Sequence, residues 1–256
     1  MQFAGLEADY ALSAAEGKGQ DRHLIMSHFA GVADGATPLD PSWPSNTGEF
    51  AAFALRQLAQ DSEQADMDIR TVWRYAISAA AREFSVVEPQ LSCGIAMARQ
   101  TENTVELATL GDCGAIVLLR NGSVIGIRDD RLSELDHEVD VASGEEAQRK
   151  RLRNRASLNT PSGYWVFAAK IEAADHILTR RINLDEVEKL VLYTDGFYRL
   201  RDLYHIFDQD KELLELVRKI GARGALESLR QYEKSLPNGT PRPLDDATLV
   251  VCSRQN

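Results

Sequence analysis

Leu190-Val191-Leu192-Tyr193-Thr194-Asp195-Gly196 is a nearly continuous apolar run that ends in a carboxylate and a glycine. Short apolar runs of this kind, bounded by turn residues, are typical of buried strands. A strand end is a rigid place for a carboxylate, and the glycine beside it lets the backbone come close to a partner. This stretch therefore predicts a buried strand that presents Asp195 at its end.

The same pattern recurs at three other predicted strand boundaries. Residues 31–33 lead into Asp34-Gly35, residues 107–110 lead into Gly111-Asp112, and Asp245-Asp246 directly precedes residues 247–251. Any one of these is most simply a plain turn, because Asp-Gly is a common turn dipeptide. Four together are harder to dismiss, since uncompensated charges at the ends of core strands repel one another. A bound cation would remove that repulsion, and oxygen ligands without clustered His or Cys favour magnesium or manganese over zinc.

Helices and strands fall in separate blocks along the rest of the chain. Helical periodicity predicts helices that begin at Asn46 and Asp68, and two more over residues 210–220 and 222–235. Strands are predicted over residues 91–99, 104–110, 115–120, 163–167, 176–182, 189–194 and 247–253. Asn121-Gly122 predicts a hairpin turn. Segregated blocks indicate an α+β fold, and the absence of a linker or repeat favours one domain over residues 1–256.

Composition and charge exclude several classes of protein. The formal net charge of -10 argues against nucleic acid as the main partner, because phosphate backbones require a broad basic surface. No apolar run is long enough to span a bilayer, and the first residues lack the pattern of a signal peptide. We therefore expect a cytoplasmic protein without a membrane partner. The three cysteines are odd in number and widely spaced, which favours reduced core thiols.

Five short motifs in this order resemble the motif series of the protein phosphatase 2C family, in its bacterial form. They are Gln20-Asp21, Val32-Ala33-Asp34-Gly35, Gly111-Asp112-Cys113, Thr194-Asp195-Gly196 and Asp245-Asp246-Ala247-Thr248. The resemblance covers essentially the whole chain. It implies an α-β-β-α four-layer sandwich, in which two antiparallel sheets lie face to face and helix pairs flank them. It also implies a site for two divalent cations, manganese or magnesium, at one end of the sandwich.

The resemblance also implies which residues hold the cations. Asp34 would bridge the two metals, with the Gly35 carbonyl on one of them. Asp21 would serve one metal, and Asp195 and Asp245 the other. The catalytic carboxylates would accordingly be Asp34, Asp195 and Asp245.

Two departures from the family pattern concern a third ion and the substrate phosphate. Asp112 matches a residue that helps to hold a third, weaker ion, but Arg199 stands where a further acidic ligand is often found, which argues against that ion. Many members carry a phosphate-binding arginine just before the first metal-binding aspartate, and residues 16–20 contain none. The candidate phosphate-binding residues are therefore Lys18, Arg22 and Arg199.

The resemblance implies hydrolysis of phosphoserine or phosphothreonine in proteins. The nucleophile would be hydroxide formed from a metal-bridging water. The enzyme would oppose a serine/threonine kinase in signalling. Two alternatives stay open on the same fold. One is a catalytically weak or inactive signalling module, which the missing arginine and Arg199 favour and the retained aspartates oppose. The other is a small-molecule phosphomonoesterase, which an altered phosphate grip would suit.

Two further patterns have simpler structural explanations. Cys93 and Arg99 have the C-x5-R spacing of cysteine-nucleophile phosphatases, but the residues between them alternate as in a core strand. The basic run over residues 149–155 is most simply a solvated helix face balanced by Glu145 and Glu146. In the family that region is a variable flap beside the site, where substrate selection is expected.

Overall fold

Two antiparallel sheets form the centre of the structure, a computed structural model that describes residues 1–15, 19–40, 42, 44–85, 90–140, 144–237 and 243–255. The first sheet contains β1 (Gln2–Phe3), β2 (Leu6–Ser13), β7 (Gly114–Leu119), β8 (Val124–Arg128), β10 (Val187–Tyr193) and β11 (Ala247–Ser253). The second contains β3 (Arg22–Ile25), β4 (Phe29–Gly35), β5 (Cys93–Thr101), β6 (Thr104–Leu110) and β9 (Leu178–Asn183). Their strand orders are β1-β2-β11-β10-β7-β8 and β3-β4-β5-β6-β9.

Helices cover the outer faces of both sheets. The helices are α1 (Thr47–Asp61), α2 (Ile69–Phe84), α3 (Arg131–Asp140), α4 (Gly144–Ala156), α5 (Asp195–Asp202) and α6 (Asp210–Ser235). α1 and α2 pack on the second sheet through an apolar cluster that includes Phe50 and Trp73, and α5 and α6 pack on the first through Phe197 and Leu229. Among the described residues, no helix has both the length and the apolarity to cross a membrane.

A third apolar cluster fills the space between the two sheets. It includes Val32 of β4, Leu107 of β6 and Leu190 of β10, all fully buried. Successive residues of a strand point to opposite faces, so β10 supplies Leu190 to this inner cluster and Val191 to the outer one under α5 and α6. The predicted α-β-β-α four-layer sandwich is confirmed.

Local signals were right in some places and wrong in others. Asp68 caps α2 by accepting a hydrogen bond from the Thr71 N–H at 3.1 Å, whereas Asn46 makes no side-chain cap at α1. Gly221 has a φ of 73° and divides α6 where the sequence predicts two helices. The strand predicted over residues 163–167 is wrong, since the segment joins β5 only through a bridge between Cys93 and Phe167. Its apolar side chains alternate between two separate clusters instead of covering one sheet face.

The antiparallel pairing explains why the aspartate-bearing strand ends meet. Tyr193, the last residue of β10, lies opposite Leu249 near the start of β11 and opposite Gly114 at the start of β7. In the second sheet, Asp34 near the end of β4 lies opposite Gly94 at the start of β5. One end of the sandwich therefore carries the ends of β4, β6 and β10 together with the beginnings of β5, β7 and β11.

Candidate metal centre

Three of the predicted carboxylates form a tight cluster at this end of the sandwich. Asp34, Asp112 and Asp195 each place one oxygen within 4.8 Å of the others. They come from the end of β4, from the loop after β6 and from the first residue of α5. Asp245, just before β11, lines the same cavity of about 270 Å³. The cluster thus joins both sheets across the end of the sandwich.

Asp21 lies beside this cluster and is fully buried. Its Oδ2 accepts hydrogen bonds from Thr194 Oγ1 at 2.7 Å and from Thr248 Oγ1 at 2.8 Å. Its Oδ1 is buried without a partner in the described residues, and the same is true of Asp195 Oδ1. Buried carboxylate oxygens without donors are costly, so a cation or an ordered water is the natural partner for both.

The donor set at this end fits hard divalent cations. The side chains that converge are carboxylates, and the thiols of Cys93 and Cys113 are held protonated because burial raises the pKa of both. Gly35 permits a close backbone approach here, since a Cβ at that position would lie 2.9 Å from the Gln20 carbonyl oxygen. Oxygen donors without thiolate or imidazole suit magnesium or manganese.

Burial and the charges of neighbouring carboxylates make Asp34 and Asp21 hard to ionise without a cation. Burial, followed by the charges of Asp21, Asp195 and Asp112, raises the pKa of Asp34 well above its usual value. Burial also raises the pKa of Asp21 to about 8, against the opposing effect of its hydrogen bonds from Thr194 and Thr248. The metal-free site therefore holds protons that a cation would displace.

The metal-free protein is expected to lose stability as the pH rises from about 4 to about 8. The folded pKa of Asp21, about 8, exceeds its ordinary value of 3.8, so the folded state keeps a proton that the unfolded state has released. This contribution is complete below the unfolded pKa and disappears as the pH passes the folded pKa. Urea unfolding in EDTA at pH 5 and pH 8 measures it. Asp21→Asn, which cannot titrate, should reduce the pH dependence, and an unchanged slope would contradict the assignment.

Asp245 is paired with a buried arginine. Arg199 lies one helical turn after Asp195 in α5, is 4% exposed, and places Nη2 2.8 Å from Asp245 Oδ2. Its Nη1 donates to the Pro243 carbonyl oxygen at 2.8 Å. Burial lowers the pKa of Arg199, but the negative charges of Asp195 and Asp245 outweigh this effect and raise it. The guanidinium is therefore a fixed positive charge behind two carboxylates of the site, and it does not line the cavity.

Arg22, another predicted phosphate-binding residue, also does not line the cavity. Arg22 donates from Nη1 to the carbonyl oxygens of Gly19 and Asp21 at 2.7 and 2.6 Å, and its guanidinium packs against Gly48 at the start of α1. Lys18 is outside the described residues.

Two arginines of α4 do line the cavity. Arg151 and Arg155 are its only cationic lining residues within the described part of the chain. Sequence reasoning treated the basic run that contains them as a solvated face. The signal that was available is their spacing, because residues four apart lie on one side of a helix.

Sequence reasoning also missed the role of Asp246. Its carboxylate is buried and accepts hydrogen bonds from the backbone N–H groups of Ala15, Gly19, Gln20 and Asp21 at 2.7, 3.0, 2.5 and 3.3 Å. It thereby holds the end of β2 and the segment that carries Asp21. The two adjacent aspartates before β11 thus have different roles, one at the cavity and one in the scaffold.

Cys93 and Arg99 do not form a cysteine-nucleophile site. They lie near opposite ends of β5, and Arg99 Nε donates to Glu106 Oε2 at 2.8 Å in the core. The nucleophile in such enzymes is a thiolate with a lowered pKa, whereas burial raises the pKa of Cys93.

Any hydrolytic activity of the protein is therefore expected to survive treatment with iodoacetamide and the Cys93→Ala substitution, within about threefold. The measurement is the initial rate with manganese before and after alkylation, with the modified thiols counted by mass spectrometry. Loss of activity in a folded, alkylated protein would reinstate Cys93 as a nucleophile.

Comparison with solved structures places the fold among bacterial phosphatases. The PPM Ser-Thr phosphatase MsPP from Mycobacterium smegmatis, in complex with cacodylate, is 15% identical, with a TM-score of 0.61 over 98% of this chain and 99% of that chain. Serine/threonine phosphatase Stp1 from Staphylococcus aureus is 17% identical, with a TM-score of 0.61 over 100% and 98%. The catalytic domain of the phosphatase PstP, in complex with two manganese ions, is 17% identical, with a TM-score of 0.57 over 96% and 97%.

No curated protein matches this sequence significantly. The family model for protein phosphatase 2C, however, matches residues 26–232, which is most of the chain. The motif order, the two-sheet sandwich and this match agree, and the chain belongs to the protein phosphatase 2C family.

Proposed function

We propose that the protein hydrolyses phosphoserine and phosphothreonine in proteins, using manganese or magnesium. The observation that carries this proposal is the convergence of Asp34, Asp112 and Asp195 within 4.8 Å, with Asp245 on the same cavity. The structure of PstP with two manganese ions supports a dinuclear site on this fold. The expected opposing enzyme is a serine/threonine kinase, and a cytoplasmic location stays a prediction.

Asp34 would hold both cations, with the Gly35 carbonyl and Asp21 toward one and Asp195 and Asp245 toward the other. Bound cations of this kind lower the pKa of water and neutralise charge on the phosphoryl oxygens. The chain's own contribution is to fix the carboxylates. Thr194 and Thr248 hold Oδ2 of Asp21, and β4 fixes Asp34 against β5.

The surroundings of the cavity favour direct hydrolysis over a covalent enzyme intermediate. Cys93 lines the cavity, but burial raises the pKa of its thiol, so it is a poor nucleophile. Water then adds to phosphorus while the serine or threonine oxygen leaves, giving inorganic phosphate and the free hydroxyl side chain. Asp112 is a further ligand candidate, and Arg199 near Asp195 and Asp245 opposes a third ion on that side.

One contact favours a second candidate function, a catalytically weak signalling module. Arg199 Nη2 lies 2.8 Å from Asp245 Oδ2. Asp245 must therefore release the guanidinium, or bind it and a metal ion together, before it can serve as a metal ligand. A site with weakened metal affinity on that side would bind phosphorylated partners more readily than it would turn them over.

The test is hydrolysis of an aryl phosphate, a phosphothreonine peptide and a set of metabolite phosphates, each with manganese, magnesium or EDTA. We expect turnover that requires metal and is most efficient on the peptide. A preference for metabolite phosphates would instead identify a small-molecule phosphomonoesterase. Metal binding by calorimetry without turnover on any substrate would overturn the proposal and favour the signalling module.

A further inference from the structure

One face of α4 lies against the cavity that the aspartates line. Arg151 and Arg155 are on this face, together with the buried residues Ala147 and Asn154. The Asn154 side chain donates from Nδ2 to the Leu135 carbonyl oxygen at 3.1 Å and so attaches α4 to α3. The helix is therefore held with two guanidinium groups toward the carboxylate cavity.

The two arginines sit at different depths. Arg155 is half-buried and donates from Nη2 to the carbonyl oxygen of Thr37, another residue that lines the cavity, at 3.2 Å. Arg151, one turn earlier, is exposed. Of the two, Arg151 is therefore the more accessible to a ligand that enters from solvent.

Binding of a phosphate ester in this cavity of carboxylates requires positively charged groups, which these arginines supply. A phosphate monoester is close to a dianion at neutral pH, and a cavity lined by Asp34, Asp112, Asp195 and Asp245 repels it unless cations intervene. Arg22 donates to backbone carbonyl oxygens and Arg199 is paired with Asp245, and neither arginine lines the cavity.

We propose that Arg151 and Arg155 bind the phosphoryl group of the substrate. They would take the role of the phosphate-binding arginine that residues 16–20 lack. This inference rests on the proposed phosphatase function and names residues that contact its substrate. The planar guanidinium can donate two parallel hydrogen bonds to phosphate oxygens, which a lysine cannot do. Binding by two arginines on one helix face favours monoester dianions over singly charged diesters.

The same helix supplies a matched control. Arg149 and Arg153 are also four residues apart and exposed, but as a pair they point about 160° around the helix from Arg151 and Arg155 and do not line the cavity. The double variants R151A/R155A and R149A/R153A therefore remove the same charge from the same helix on opposite faces.

The first experiment is calorimetric titration of the magnesium-loaded protein with inorganic phosphate. We expect R151A/R155A to weaken phosphate binding about tenfold or more, because charge-assisted hydrogen bonds are lost, and R149A/R153A to stay within about twofold of wild type. Equal weakening in both double variants, or wild-type affinity in R151A/R155A, would overturn the proposal.

Two further variants keep the test independent of folding and turnover. Arg151→Ala alone changes an exposed side chain, and Arg155→Lys keeps the charge while losing the planar fork. Both should weaken phosphate binding by an intermediate amount, and wild-type affinity in both would count against the proposal. If the wild type hydrolyses no phosphate ester with any metal, the proposed function fails, whereas the phosphate titration still decides the role of the arginines. If it does, KM for a phosphopeptide should rise in R151A/R155A only.

Discussion

Asp34→Asn should lower metal-dependent turnover by about a thousandfold or more while leaving the fold intact. Asp34 is the carboxylate that faces most of the others, since Asp21, Asp195, Asp112 and Asp245 all raise its pKa together with burial. The substitution removes the charge and keeps the volume, so it removes a cation ligand without opening a cavity. Turnover of an aryl phosphate with manganese, measured against wild type, tests this.

Two further readouts separate loss of metal binding from loss of structure. Magnesium affinity by calorimetry should fall, and the unfolding temperature in EDTA at neutral pH should rise, because folding no longer requires Asp34 either to take up a proton or to be buried as a charge among other carboxylates. Asp9→Asn is the control, since it makes the same change at an exposed position of β2. Unchanged manganese-dependent turnover in Asp34→Asn would remove Asp34 from the site.

The convergence of the aspartates could be predicted from sequence because two local signals combine. Apolar runs that end in Asp-Gly give the strand ends, and antiparallel neighbours place the end of one strand beside the beginning of the next. Asp195 after β10 and Asp245 before β11 are brought together by this rule alone. A cluster built from strand ends is therefore readable without knowledge of side-chain packing.

The roles of the arginines near the site could not be predicted in this way, because they depend on the direction of each side chain. Arg22 adjoins Asp21 in sequence, yet its guanidinium turns back to the backbone of the same segment. Arg199 follows Asp195 by one turn, but its side chain pairs with Asp245 and does not line the cavity. Arg155 meets Thr37, which is 118 residues away in the chain. The spacing of Arg151 and Arg155 indicates that they share a helix face, but the sequence does not show which segment that face contacts.

The division of roles between Asp245 and Asp246 has the same origin. Both precede β11, and successive residues at a strand end point in opposite directions. Asp245 consequently lines the cavity, while Asp246 turns to the backbone N–H groups of the segment before β3. Sequence shows that two carboxylates stand at this boundary, but only the register of β11 against β2 decides which one enters the site.

Asp246→Ala is expected to destabilise the folded protein by about 3 to 5 kcal/mol, the largest stability change predicted for any single substitution considered. The carboxylate is 3% exposed and accepts four backbone hydrogen bonds, so the substitution leaves buried N–H groups without an acceptor. Denaturant unfolding at constant pH and saturating magnesium measures the loss. Asp9→Ala, on an exposed face of β2, should change stability by less than about 0.5 kcal/mol.

Asp246→Asn distinguishes a role in the scaffold from a role in binding cations. The amide oxygen can still accept from the N–H groups of Gly19 and Gln20, so this variant should recover part of the stability lost in Asp246→Ala. Magnesium affinity should fall less in Asp246→Asn than in Asp34→Asn, because Asp246 acts on the site only by positioning Asp21. Equal loss of magnesium affinity in both asparagine variants, with Asp246→Asn as stable as wild type, would show instead that Asp246 is a metal ligand.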